Sequence, residues 1–308
     1  MSITVRSYKY PDDFKLVGQF LANTYHVEGQ HRNWLQPRWE YMHYHPLLDE
    51  SSLDKIGIWE DTGEIVGVVH HEHRMGEIYI EIIPDYSYLK KEMLEYAQEY
   101  LYRDENEGRL LQVFINGTDD EFETIAEDLG FHKDETRLED MSQLKIVDPL
   151  PSINVPEGFR LKSLQEDNDL IKIHRVLHRG FDHPGEPPEE EIEGRKKMQS
   201  APNFRRDLTI IVEAPDGNFV SFCGMWYEAS NKIAYVEPVA TDPDYRRMGL
   251  GKAAVLEGIR RCGELGATDA YVGSVQTFYI TMGFRKIFTC YLWTKHLDKS
   301  GYQIAYQL

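Results

Sequence analysis

Residues 236–254, VEPVATDPDYRRMGLGKAA, decide the fold of this chain. A β-rich run ends at Thr241, a turn follows at Pro243, and a long helical pattern begins around Gly249 and Gly251. The first turn of a helix has no internal partners for its N–H groups, so the amides of residues 247–252 are predicted to point outward together. Converging amides and the positive end of a helix dipole bind phosphate oxygens. The stretch therefore predicts a strand, a glycine-rich loop and a helix that together form an anion site.

The order strand, Arg-x-x-Gly-x-Gly, helix resembles the pyrophosphate-binding segment of the GCN5-related N-acetyltransferases (GNAT). The spacing is not the Gly-x-Gly-x-x-Gly of dinucleotide-binding proteins, and no Gly-Lys-Ser/Thr follows to form a P-loop. The resemblance implies acetyl-CoA, and no metal, as the cofactor. It assigns coenzyme binding to the end of the strand, the loop and the start of the helix: Val239, Ala240, Thr241, Arg246, Arg247, Met248, Gly249, Leu250, Gly251, Lys252 and Ala253.

A second match to the same family lies downstream, in the segment FYITMGF at 278–284. Tyr279 stands four residues before Gly283, as does the family tyrosine whose hydroxyl protonates the leaving thiolate. A phenol with a pKa of about 10 is a hydrogen-bond donor at neutral pH, so the residue type suits the role. The alternative is an aromatic side chain that only packs against the sheet.

Transfer to an amine also requires a group that accepts the ammonium proton. The resemblance places Glu237, on the fourth strand, in this role, although a carboxylate that binds the acceptor would look the same. Asp182 and His183, in the loop after the first helix, and Glu228 are weaker candidates for acceptor binding. The N–H of Val239 is a candidate oxyanion donor.

The chain contains two copies of one plan. Pro84 and Pro243 each precede an Asp-Tyr pair and are 159 residues apart, and Gly130 and Gly283 each precede Phe and are 153 apart. The predicted class is therefore α/β (α+β): two tandem GNAT-like domains, each with a mixed, mostly antiparallel sheet flanked by helices and splayed at its fourth strand. The predicted domains are 1–147 and 159–308, joined by a proline-rich linker at 148–158.

The two copies differ where the chemistry would occur. After Pro84 the first copy has no Gly-x-Gly, and only Lys90 and Lys91 supply positive charge. At the position of Tyr279 it has Ala126. The first copy is therefore predicted to be a degenerate domain that does not bind acetyl-CoA.

Composition limits the possible partners. The formal net charge of −18 disfavours nucleic acid and anionic membranes and is compatible with a cationic acceptor. No apolar run is long enough to span a membrane, and three widely spaced cysteines fit a reducing cytoplasm. His71 and His73 would share one face of a strand, but without a third ligand zinc is not expected.

The sequence favours an acetyl-CoA-dependent N-acetyltransferase that acts on a primary amine of a small molecule or peptide by direct attack in a ternary complex. Two alternatives stay open. One is a non-catalytic acyl-CoA-binding or sensory protein, and the other is an acyltransferase with a different acyl donor or acceptor. The sequence names neither the acceptor nor the oligomeric state.

Overall fold

The computed structural model describes residues 2–25, 33–106, 108–147 and 150–297, and the chain divides into two compact units. The first unit contains residues 1–42, 47–140 and 288–308. The second contains residues 43–46 and 141–287. The predicted linker falls in the second unit, where residues 148 and 149 lie outside the described residues and 150–159 form neither helix nor strand.

The first unit is a mixed sheet with helices. Its strands are β1 (Ile3–Ser7), β2 (Gly57–Asp61), β3 (Glu64–His71), β4 (Glu77–Ile82), β5 (Arg103–Glu105), β6 (Gly108–Asn116) and most of β7 (His132–Lys145). Its helices are α1 (Asp12–Asn23), α2 (Gln36–Tyr44), whose last two residues are assigned to the second unit, α3 (Lys90–Tyr100) and α4 (Asp120–Asp128).

The second unit repeats this plan. Its strands are β8 (Arg160–Ser163), β9 (Ile210–Glu213), β10 (Phe219–Glu228), β11 (Ile233–Thr241) and β12 (Asp269–Val272), and the chain ends its described part in β13 (Arg285–Leu297). Its helices are α5 (Leu170–Gly180), α6 (Ile192–Gln199), α7 (Leu250–Glu264) and α8 (Thr277–Ile280).

Both sheets have the same pairing pattern. In the first, β1, β2, β3 and β4 pair antiparallel in turn, β4 pairs parallel with β6, and β6 pairs antiparallel with β13. In the second, β8, β9, β10 and β11 pair antiparallel in turn, β11 pairs parallel with β12, and β12 pairs antiparallel with the end of β7. The tandem repeat of one mixed, mostly antiparallel fold is thereby confirmed.

The last strand of each copy is the feature that the sequence did not predict. Residues 290–297 of β13 pair with β6 and belong to the first unit, whereas residues 142–145 of β7 pair with β12 in the second. The predicted domain 159–308 therefore differs from the compact unit, because its final strand completes the sheet of the other copy.

The core of the second unit explains why its central strands are nearly continuous apolar runs. β10 (FVSFCGMWYE) is buried over almost its whole length, because α7 covers one face of the sheet and α5 the other. Asp169 caps α5 by accepting hydrogen bonds from the N–H groups of Ile171 and Lys172. These two helices fix the position of the end of β11.

Candidate active site

The second sheet opens at β11. β11 and β12 pair only at Ile233, Ala234 and Tyr235, and within the described residues no strand pairs with that edge of β11 beyond Tyr235. The predicted splay at the fourth strand is confirmed. It leaves the edge of β11 from Val236 to Thr241 outside the strand pairing of the sheet.

The register of β10 and β11 fixes which backbone groups face this opening. The N–H of Asp242 donates to the carbonyl of Val220 at 3.0 Å, so this is a hydrogen-bonded position of the ladder. Hydrogen-bonded and non-hydrogen-bonded pairs alternate in an antiparallel ladder. Ala240 is therefore bonded to Phe222, whereas the N–H and C=O of Val239 and Thr241 face away from β10 and into the opening. Val239, Ala240 and Thr241 are the strand residues predicted to bind the coenzyme. Among them, Ala240 has its backbone N–H and C=O directed toward β10.

A bulge lies at Glu237 and Pro238. Cys223 is opposite Val239 and Met225 is opposite Val236, so two residues of β11 face one of β10. A proline inside a strand cannot donate a ladder hydrogen bond, so Pro238 predicts a bulge at this point, and the register confirms it. The indole N–H of Trp226 donates to the carbonyl of Glu237 at 3.0 Å and holds the bulge in place.

The start of α7 lies directly beyond β11. Gly249, at the N-cap, has a φ of 82°, a left-handed conformation that favours glycine. No side chain caps the helix, and the first-turn N–H groups of Leu250, Gly251 and Lys252 have no intrahelical partner. A Cβ on Gly251 would lie 2.9 Å from Oγ1 of Thr241, so only glycine lets the helix begin this close to the strand. The N–H of Ala253 is already bonded to the carbonyl of Gly249 at 3.0 Å.

The basic residues of the loop have different surroundings. Arg246 donates to three oxygens of the protein, the carbonyls of Thr241 and Gly180 and a carboxylate oxygen of Asp182. Arg247, with a φ of 67°, follows it in the left-handed region. Among the described residues, no acceptor bonds the side chain of Arg247 or Lys252, and both are at least partly exposed next to the start of α7.

Tyr279 lies on α8 as predicted, with 8% of its surface exposed. Its ring packs edge-on against Phe278 and Phe284, at centroid distances of 4.9 and 5.8 Å. Burial raises the pKa of Tyr279, and negative charge on Cys223 and Glu237 would raise it further. The structure therefore brings the phenol of Tyr279 within electrostatic reach of Glu237. No hydrogen bond to its hydroxyl is formed by any of the residues that the structure describes.

The weaker candidates for acceptor binding lie at two different places in the second unit. Asp182, with a φ of 57°, and His183 follow α5, and the ring centroid of His183 is 5.3 Å from that of His178. Glu228 instead is the last residue of β10, and its carboxylate accepts from the N–H groups of Ser230 and Asn231 in the following turn, at 2.7 and 3.0 Å. The carboxylate of Glu228 therefore stabilises the β10–β11 turn. The residue opposite Glu228, Ile233, lies four residues before Glu237 at the bulge.

A buried ion pair at the start of the loop had no signal in the sequence. Asp242 is 0% exposed and accepts two hydrogen bonds from Arg179, at 2.6 and 3.0 Å, and one from Arg175 at 3.3 Å. Burial raises the pKa of the Asp242 carboxyl, but the bonds from Arg179 and from the N–H of Asp244 outweigh it and the net pKa is lowered. Arg175 and Arg179 are four residues apart and therefore share one face of α5. This spacing does not indicate that Asp242 is their partner.

The first unit has the same splay, but its own side chains occupy it. β4 and β6 pair only at Glu77 and Ile78, and the N–H of Ile83 bonds the carbonyl of Val66, so Ile82 faces the opening as Thr241 does. The side-chain amide of Asn33 pairs with Ile82, accepting from its N–H at 2.9 Å and donating to its carbonyl at 3.2 Å.

The helix that begins beyond this splay is also closed off. At the start of α3, the ammonium of Lys90 donates to Asp119 at 2.6 Å, and each side chain is at most 3% exposed. Asp119 in turn caps α4. Lys90 thus balances a buried carboxylate rather than offering its charge to an external anion.

Other predictions from the sequence concern metals and membranes. β3 ends at His71, so His73 does not share a strand face with it, contrary to the expectation. Within the described ranges, no group of three or more His, Cys, Asp or Glu side chains is placed to hold a metal ion. No helix in the described part of the chain is long and apolar enough to cross a membrane.

Residues 170–284 match the model of the acetyltransferase (GNAT) family. The second half of the chain thus carries a domain of this family, and it includes the loop, α7 and Tyr279. The chain is also similar to mycothiol acetyltransferases from Saccharomonospora viridis, at 26% identity over 51% of this chain and 53% of the relative, and from Thermobispora bispora, at 30% over 45% and 50%. Each match spans about half the length of that relative.

Solved structures extend the likeness to the whole chain. A GCN5-related N-acetyltransferase from Sphaerobacter thermophilus superposes with a TM-score of 0.65 at 16% identity, over 99% of this chain and 98% of that one. A tandem GNAT protein from the clavulanic acid biosynthesis pathway superposes with a TM-score of 0.64 at 13% identity, over 96% and 98%. At these identities the similarity establishes the fold, and the fold of the chain is that of a tandem GNAT protein.

Proposed function

We propose that this protein transfers an acetyl group from acetyl-CoA to a primary amine of a small molecule or peptide, by direct attack, at a single site in its second unit. The observation that carries the proposal is the opening between β11 and β12. It is supported by the backbone of Val239, which faces away from β10, and by the start of α7, which no side chain of the described residues caps. The buried phenol of Tyr279, on α8, supports it further.

The residues present fit the coenzyme. The free N–H groups of Leu250, Gly251 and Lys252, the helix dipole and the charge of Arg247 suit a pyrophosphate. The C=O of Val239 and the N–H of Thr241, which face away from β10, suit an amide-containing arm that pairs with a strand edge. When bound, acetyl-CoA supplies an acetyl group activated as a thioester.

Two side chains would handle the protons. The carboxylate of Glu237 accepts the proton that the amine must lose before it attacks. Tyr279 keeps a proton on its hydroxyl, because burial raises its pKa. It would donate that proton to the departing sulfur and recover one from the nitrogen of the new amide. The N–H of Val239 lies on the same strand edge and suits a developing oxyanion.

The first unit supports the assignment of a single site. Asn33 occupies the strand edge that corresponds to Thr241, and the Lys90–Asp119 pair occupies the start of the corresponding helix. A coenzyme in that unit would have to displace a buried, hydrogen-bonded ion pair, which is costly. We infer that this unit has a structural role.

The acceptor is proposed at the level of its class. The curated relatives are named for acetylation of a small molecule, mycothiol, which favours a small-molecule acceptor. The formal net charge of −18 favours amines that arrive as cations.

The test is calorimetry with acetyl-CoA on three proteins: the wild type, Gly249→Trp and Gly217→Trp. Both glycines have a positive φ and no atom within 4 Å of an added Cβ, but Gly217 lies in the β9–β10 turn. We expect one site per chain, lost only in Gly249→Trp, followed by thiol release with a panel of amines. Two sites would contradict the structural role of the first unit. Binding without turnover on any amine would indicate a non-catalytic acyl-CoA-binding protein, and no binding would refute the proposal.

A further inference from the structure

Arg246 is the first arginine of the loop motif, yet its side chain is turned toward the protein. Nε donates to the carbonyl of Thr241 at 3.2 Å, and Nη2 donates to the carbonyl of Gly180 and to Oδ1 of Asp182, both at 2.9 Å. These acceptors lie at the end of β11 and at the end of α5. The guanidinium therefore joins the coenzyme side of the opening to the loop that follows α5.

A second connection with reversed charges runs beside the first. Arg179, on α5, donates two hydrogen bonds to Asp242 and one to Asp244 at 2.7 Å. Asp242 is fully buried, so this connection is the anchor. The Arg246–Asp182 pair is exposed, at 42% and 64%, and contributes little energy as an ion pair alone. Its effect is geometric, because it fixes the orientation of Asp182.

The Arg246–Asp182 pair lies at a tight turn of the backbone, residues 181–183, directly after α5. Asp182 has a φ of 57°, which is uncommon for a residue other than glycine. The N–H groups of Phe181, Asp182 and His183 bond the carbonyls of Leu177, Arg179 and His178 at 3.0, 3.0 and 3.1 Å. Residues 181–183 thus form a closed turn that caps α5 and carries the candidate acceptor-site residues.

We propose that Arg246 is a positioning residue that holds residues 180–183 in place for the acceptor, and that Arg247 and Lys252 provide the cationic contacts to the coenzyme phosphates. This inference rests on the proposed function. It reverses the role that the motif gives to Arg246, whose Nε and Nη2 already donate to acceptors within the protein.

The experiment compares Arg246→Gln with Asp182→Asn and Arg247→Gln. In Arg246→Gln we expect the KM for the acceptor amine to rise about tenfold, the loss of roughly one charge-assisted hydrogen bond, while the Kd of acetyl-CoA changes by less than about twofold. Asp182→Asn should move in the same direction. The double variant should be no worse than Arg246→Gln, because both remove one contact. Arg247→Gln should show the opposite pattern, with a weaker Kd and an unchanged KM for the amine.

Hydrogen exchange supplies a readout that does not depend on turnover. The amides of Phe181, Asp182 and His183 should lose protection in Arg246→Gln and Asp182→Asn but not in Arg247→Gln. Unchanged exchange, or a loss of acetyl-CoA affinity in Arg246→Gln equal to that in Arg247→Gln, would overturn the inference. Absence of turnover in the wild type would refute the proposed function instead, and the exchange data would still decide the role of Arg246.

Discussion

Tyr279 and Glu237 illustrate how much a single residue position can be inferred from sequence. The spacing from Gly283 singles out Tyr279, and the structure places it on the short helix α8, where negative charge on Glu237 would raise its pKa. This spacing can be recognised in the sequence because Tyr279 and Gly283 are only four residues apart. The burial that raises its pKa depends on Phe278 and Phe284, which pack on it only in the folded unit.

For Tyr279→Phe we expect kcat to fall about 10²-fold, the lower range for loss of a general acid, with the Kd of acetyl-CoA unchanged. A raised pKa keeps the phenol protonated through and above the pH of about 10 at which a free phenol ionises. The wild type should therefore show no loss of activity from this group between pH 7 and about 10. Steady-state rates across this range, with calorimetry on both proteins, check the expectation. A kcat within a factor of about two of the wild type would leave Tyr279 as a packing residue only.

For Glu237→Gln we expect loss of the acidic limb of the kcat/KM profile, because a base must be deprotonated to accept the ammonium proton. The isosteric amide preserves the backbone bond from Trp226, so the bulge should persist. The measurement is the pH profile of thiol release at subsaturating amine. A variant with a higher KM for the amine but the same pH profile would mean that Glu237 binds the acceptor and does not act as a base.

At the scale of elements, the site is made by one strand and one helix that approach each other closely. Pro238 predicted the bulge in β11, since proline cannot donate a ladder hydrogen bond, and the register with β10 confirms it. The approach of α7 to β11 was not predicted. It depends on Gly251, whose position leaves no room for a side chain against Thr241 and Phe278.

Gly251→Ala should weaken acetyl-CoA binding, because an added methyl group 2.9 Å from Oγ1 of Thr241 forces the start of α7 away from the strand. Gly258→Ala is the matched control in the same helix, where the methyl group would meet the flexible end of Met225 at 2.7 Å. Both variants gain about 1 kcal/mol of helix propensity, so stability alone cannot separate them. Calorimetry can, and equal affinities for the two variants would contradict the role of Gly251.

At the scale of the whole molecule, each copy of the repeat completes the sheet of the other unit. Residues 288–297 lie in the first unit, where β13 covers the edge of β6 and buries Leu292 and Trp293. Each buried side chain of this size contributes roughly 1.5–3 kcal/mol. The first unit therefore depends on the last described strand of the chain.

A chain ended after Ile287 should lose much of the stability of its first unit and expose the edge of β6, which favours aggregation. A chain ended after Leu297 retains β13 and is the control. Denaturant unfolding followed by tryptophan fluorescence reports on the first unit through Trp34, Trp39, Trp59 and Trp293, of which Trp293 is present only in the control. Trp226 adds a signal from the second unit in both chains. Equal unfolding midpoints for the two chains would show that β13 is dispensable.

The sequence by itself determined the repeated fold, the strand–loop–helix with its glycines, and the position of Tyr279, because each follows from residues within a few turns of one another. The tertiary structure alone decided which groups remain available to a ligand. Arg246 bonds Asp182 from 64 residues away, Asn33 bonds Ile82 across 49 residues, and the paired residues of β13 and β6, Cys290↔Asn116 to Leu297↔Arg109, are 290 − 116 = 174 to 297 − 109 = 188 apart. Such contacts leave no periodic pattern in the sequence, because they join residues that are far apart in the chain and meet only in the folded structure. They determine that Arg246 already donates to acceptors within the protein, and that Asn33 occupies the splay of the first unit.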